Sequence, residues 1–193
     1  MIELARMTVR DPLRAWGLIR ALPLTLADRW SLVVVTAALA SILSWLGAQL
    51  LPASVEGSGL LALLSRAPFS MAMVQVGSAA LGAFLLAEVG GRIFGGTGRF
   101  ADALLAVGWV EAIMVVLQAV QLVATVILPP VGALVGIATL MLAAYLLVAM
   151  TMAVHGFRNP LLVVLGIVAT VMVTSFLMSI LAASTGLLPG VTG

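Results

Sequence analysis

Cysteine is absent from the 193 residues, which excludes disulfides, iron–sulfur ligation, thiolate nucleophiles and cysteine-type zinc sites and leaves the redox compartment open. Lysine is absent too, and a single histidine, His155, removes most imidazole chemistry. The deepest deficit is charge. Only 8% of residues are charged and 63% are hydrophobic, with a mean hydropathy of +1.28, whereas soluble domains carry roughly a quarter charged residues. Such a chain lacks the polar material to cover a core in water, so it is expected to be an all-α polytopic membrane protein. Its net charge of +2 comes from nine arginines against seven acids.

Five apolar stretches reach the roughly 20 residues that a helix needs to cross a bilayer core about 30 Å thick. They run about 31–51, 69–89, 104–128, 131–154 and 160–183. Proline punctuates them: Pro52 stops the first, Pro68 opens the second, Pro129 and Pro130 divide the third from the fourth, and Asn159-Pro160 opens the fifth as N-cap and first helical residue. Leu60 to Leu64 is too short to span and is expected at the interface; residues 186–193 form an extracytoplasmic tail. Eight arginines (Arg6, Arg10, Arg14, Arg20, Arg29, Arg92, Arg99 and Arg158) fall on one side of these spans and Arg66 alone on the other. Positive flanks stay in the cytoplasm, so the N-terminus is expected inside and the C-terminus outside. The basic charge then reports topology, and nucleic acid is not an expected partner. The lead of about 30 residues is long for the basic region of a signal peptide, and cleavage after it is not expected.

Residues 1–29 form the cytoplasmic lead. Asp11-Pro12 signals a helix to about Leu22, ending before Pro23. Two readings of it are open. Leu13, Trp16 and Ile19 or Leu22 face lipid while Arg10, Arg14 and Arg20 reach headgroups, as in an in-plane amphipathic helix; or the segment packs on the ends of the spans.

Between the second and third spans the chain reads EVGGRIFGGTGRF. Gly90, Gly95, Gly96 and Thr97 mimic the outer spacing of a phosphate-binding loop, but Gly96 stands where its lysine belongs and no soluble strand precedes it, so no nucleotide is expected. The alternatives for Gly95, Gly96, Gly98, Arg99 and Phe100 are a flexible glycine turn, with Asp102 capping or pairing near the next span, or a partner-docking loop.

The lead LARMTVRDPLRAWGLIRAL, the element GGTGRF and the order of the spans resemble the Yip1 family of five-span membrane proteins in its bacterial branch. The resemblance implies five helices with a cytoplasmic N-terminus. Eukaryotic members are linked to membrane traffic and small GTPases of the Rab type. This chain lacks their long hydrophilic N-terminal region, with Asp11-Pro12-Leu13 at best a remnant of their motif, so Rab binding is not carried over. The arginine-only, Ala/Gly/Val/Leu-rich usage points to a bacterial inner membrane.

Ionisable groups within spans are costly and mark candidate sites. Glu111, Gln118, Gln121 and Thr125 share one face of the third span at 100° per residue. They make either a route for protons, cations or lipids, or a set of interhelical hydrogen bonds. Gln75, Ser78 and Gly82 form a weaker stripe on the second span, and Thr170, Thr174, Ser175 and Ser179 another on the fifth. Glu88 and Arg92 are placed to pair at i,i+4. Gly132 with Gly136, and Ser78 with Gly82, are small pairs suited to helix packing within the chain or between copies. No catalytic set, metal site or cofactor is expected. The functional expectation is a membrane organiser or an accessory subunit of a larger membrane complex, with lipids, other membrane proteins or a second copy as partners; the alternative is a small transporter, channel or lipid-translocating protein using the third-span stripe.

Overall fold

The computed structural model describes residues 2–51, 67–92 and 94–184. The expected interfacial stretch at 60–64, Arg66 and the tail from 186 lie outside the described residues, as do the side chains of Arg92, Thr174, Ser175 and Ser179. Among the described residues the chain is helical without strands: α1 (Ile2–Arg10) and α2 (Pro12–Arg20) precede the long helices α3 (Leu26–Leu50), α4 (Pro68–Arg92), α5 (Phe100–Ile127), α6 (Pro129–His155) and α7 (Pro160–Ser184). Four of these, α3 to α6, are long and apolar enough to cross a membrane. Helix α7 is a further apolar helix.

Local chemistry sets the helix ends. Asp11 accepts the Arg14 N–H at 3.0 Å and Pro12 opens α2. Helix α3 begins at Leu26, ahead of the apolar run, because Thr25 and Asp28 form a capping box in which each side chain accepts the other's backbone N–H. Gly156, in the left-handed region at φ 72°, ends α6. Asn159 Oδ1 accepts the Leu161 N–H at 3.0 Å at the start of α7.

Neighbouring long helices alternate in direction. Ser41 on α3 donates to Gln75 Oε1 on α4 at 3.0 Å, and Thr125 and Gln121 on α5 meet Gly132 and Gly136 on α6, which fixes two antiparallel registers. Helices α3 and α5 run parallel: Gly108 lies against Leu32 and Val33, and farther along Gln118 reaches Ala40 and Ser44. The Gly132/Gly136 pair therefore packs inside the chain. Gly82 does not meet another helix within the chain: a Cβ there would meet nothing within 4 Å. The small residues that let α4 approach its neighbours are Ala79, Ala83 and Ala87, buried with Val33 of α3 and Ala103 and Leu104 of α5.

Burial is concentrated at one end of the bundle. On α5 the buried side chains run from Asp102 to Trp109, and on α6 almost all lie from Leu146 to His155. That end carries the starts of α3, α5 and α7, and is here called the arginine end. At 28 and 27 residues, α5 and α6 are each about 40 Å long. They exceed the roughly 30 Å hydrocarbon core, and the surplus turns are where the protein covers itself. Away from this end, large side chains such as Val116, Val123, Leu134 and Leu140 are exposed, as suits lipid-facing surface.

Replacing Gly132 with Val should cost about 1–3 kcal/mol of unfolding free energy in detergent, since its Cβ would overlap the Thr125 backbone. Gly136→Val should cost less, because a flexible Gln121 side chain is in the way. Gly82→Ala should be neutral or slightly stabilising by under about 1 kcal/mol. Equal losses at the three positions would contradict this packing.

Candidate functional site

Charge at the arginine end converges on one carboxylate. Asp102 lies in the first turn of α5, where unpaired backbone N–H groups favour an anion. Its Oδ1 accepts from Arg29 Nη1 at 3.2 Å, and its Oδ2 lies 3.3 Å from Arg20 Nη2. Arg29 Nη1 also donates to the Ala101 carbonyl at 2.6 Å. Arg29 and Asp102, with side chains 14% and 10% exposed, make a largely buried pair joining α3 to α5; Arg20, 57% exposed, adds a clasp from α2. Arg20 thus has a protein partner where a lipid phosphate was expected, while Arg10 and Arg14 stay exposed.

The lead packs onto the bundle through its apolar face. Trp16, 5% exposed, and Ile19, fully buried, do not face lipid as the amphipathic reading required. With Ala15 they fill a cleft between Leu105, Ala106 and Trp109 of α5 and Met150 and Val154 of α6. Leu13, Leu18 and Leu22 remain exposed. Helix α1 adds a polar latch, since Trp109 Nε1–H donates to Thr8 Oγ at 3.0 Å and Thr8 donates onward to the Leu4 carbonyl at 2.8 Å. A buried indole N–H needs such a partner.

The glycine loop wraps the end of α6. Gly98 N–H donates to His155 Nδ1 at 3.2 Å, Thr97 N–H reaches the His155 carbonyl at 3.4 Å, and Gly96 N–H donates to the Gly90 carbonyl at 2.9 Å. The loop thereby satisfies terminal carbonyls of both α4 and α6. A Cβ on Gly90, Gly96 or Gly98 would strike the His155 ring, while Gly95 supplies the positive φ of 70°. Phe157 stacks on the same ring, centroids 5.2 Å apart. Most of the glycines therefore serve close approach, and the expected flexible turn is a fitted cradle. Phe100 is spent against Trp30, centroids 6.2 Å apart. Of the expected docking residues, Gly95 and Arg99 stay exposed, together with Phe94 and Thr97.

The α5 polar stripe is divided among helix contacts. Gln118 Nε2 donates to Ser44 Oγ at 3.0 Å and to the Ala40 carbonyl at 3.3 Å. Gln121 sits against Gly136, and Thr125, beneath Gly132, donates to the Gln121 carbonyl at 2.8 Å. Thr151 and Thr170 bond carbonyls one turn back on their own helices. Glu111 is half-buried and has no hydrogen bond or ion pair among the described residues.

A separate cavity of about 560 Å³ lies between α4, α6 and α7. Ser78 and Gly82 line it, together with Thr151, Gly166 and Thr170; Phe94, Phe157 and Arg158 stand at its arginine end. None of the α5 stripe borders it.

Long apolar helices packed by small residues define a polytopic helical membrane protein. A family model described as the Yip1 domain matches residues 7–181, and the chain belongs to the Yip1 family. No curated protein and no solved structure matches it.

Asp102→Asn should lower unfolding stability in detergent by about 3 kcal/mol, because it leaves Arg29 buried without its counter-charge. Arg20→Gln removes an exposed partner of the same carboxylate and should cost under about 1 kcal/mol. Similar losses from both substitutions would contradict the division between buried pair and outer clasp.

Proposed function

We propose that this Yip1-family protein is a five-span, non-catalytic protein of the bacterial inner membrane, with a cytoplasmic N-terminus and an extracytoplasmic C-terminus. It acts as a membrane organiser or as an accessory subunit that binds a larger membrane complex or lipids. The observation that carries this reading is the use of the polar stripe. Gln118, Gln121 and Thr125 are taken up in contacts with α3 and α6, which leaves surfaces as the means of action. The eight-to-one arginine distribution supports the orientation. The exposed rim of the glycine loop, Phe94, Gly95, Thr97 and Arg99, supports a docking face at the cytoplasmic end.

Gentle isolation from native membranes followed by mass spectrometry tests the reading. The expected result is one or a few membrane proteins recovered in stoichiometric amounts and lost on Arg99→Ala. Recovery of the protein always alone would contradict it.

Glu111 favours a second reading, a small transporter, channel or lipid-translocating protein, because its carboxylate lies within α5 without a partner among the described residues. That reading expects Glu111→Gln to abolish proton, cation or lipid flux in proteoliposomes. Unchanged flux, or none from the wild type, removes it.

A further inference from the structure

The cavity between α4, α6 and α7 is open at Gly82, where a Cβ would touch nothing within 4 Å. Its walls are nearly all apolar or small. Along α4 they run from Ser78 to Gly90, and along α7 from the Asn159 before it to Val171, twelve residue steps on each side or about 18 Å of rise. That length is close to one leaflet, half of a hydrocarbon core about 30 Å thick. Among the described residues helices α4 and α7 touch sparsely, so the cavity is a lateral groove between them.

Its arginine end has a different chemistry. Arg158 is the one charged residue on the wall among the described residues, is exposed, and has no ion pair there. Phe157 precedes it in the chain and shares the groove wall, and the Phe94 ring lies against Gly166 of α7. Of the other arginines at this end, Arg20 and Arg29 are committed to Asp102, and Arg6, Arg10, Arg14 and Arg99, exposed, are not among the residues that line the groove. An apolar slot one leaflet long, closed by an unpaired cation, is complementary to a lipid with an anionic headgroup.

We propose that this groove binds one anionic phospholipid of the leaflet at the arginine end. An acyl chain lies along the open face at Gly82, and the headgroup phosphate meets the Arg158 guanidinium. The small residues Ser78 and Gly82 keep the slot open, and a large residue at Gly82 closes it. The proposal deepens the reading of a protein that acts through partners or lipids, and rests on that reading only for the helices' membrane setting.

Native mass spectrometry of the full chain, released from nanodiscs of phosphatidylglycerol and phosphatidylcholine in equal amounts, tests it. The wild type should retain one phosphatidylglycerol in preference to phosphatidylcholine. Gly82→Leu should lose the retained lipid of either kind. Arg158→Gln, a surface change that leaves the fold intact, should keep a lipid while its preference for phosphatidylglycerol falls about fivefold, the worth of one basic residue at an anionic surface. Glycerol 3-phosphate, offered as a soluble headgroup, should not displace it. Wild-type retention in both variants, or displacement by the soluble phosphate, overturns the proposal. Proteins co-purifying with Gly82→Leu separate the two ideas: lost lipid with partners retained leaves the docking reading standing, and retained lipid with no partner in any form removes that reading alone.

Discussion

A carboxylate and a guanidinium at the edge of hydrocarbon are each expensive, and each becomes tolerable beside the other. Asp102 and Arg29 meet in this way, 3.2 Å apart and largely buried. The site suits the anion because the first turn of α5 presents unpaired N–H groups, and it suits the cation because Ala101 offers a carbonyl. The pair fixes where α3 and α5 begin relative to each other. From that register follow the approach of Gly108 to Leu32 and Val33, the packing of Leu104 against the alanines of α4, and the reach of Gln118 to Ser44. Through Arg20 the same carboxylate also holds the lead in place.

The arginine end is built as a self-covered cap on a bundle otherwise exposed to lipid. Helices α5 and α6 outrun the hydrocarbon thickness, and their surplus turns are covered by α1, α2 and the glycine loop. The Gly-Gly-x-Gly element gains a physical reason there: Gly96 and Gly98 allow the backbone to lie on the His155 ring, and Gly95 makes the turn. Substituting a side chain at either contact would lift the loop from the ends of α4 and α6. The conformational freedom of glycine matters less here than its lack of a Cβ.

Apolar runs and proline punctuation made the long helices legible, because hydrocarbon imposes length and backbone satisfaction on every span. The Asp11-Pro12 start of α2 was legible for a local reason, a side chain capping its own helix. The depth of Trp16 and Ile19 was not, since a face that is apolar for lipid is equally apolar for a neighbouring helix. The partners of Asp102, Trp109 and His155 lie 57 to 101 residues away, beyond anything spacing reports. A signal was nevertheless present: each is a polar-capable group at the end of an otherwise apolar helix, which requires a partner. Ser78 and Gly82 show the converse. Small residues at i,i+4 mark a surface that can be approached closely, and whether a helix or an open groove occupies it is decided by the packing of α7.

Through Asp102 the lead and the first turns of α5 are tied into one unit. Hydrogen–deuterium exchange of wild-type and Asp102→Asn protein in lipid nanodiscs measures this directly. Amides in 12–20 and 100–109 should lose protection together, while those in 132–140 of α6 keep theirs. Wild-type protection across 12–20 in the variant, or uniform loosening of the whole bundle, would contradict the claim that this carboxylate organises the arginine end.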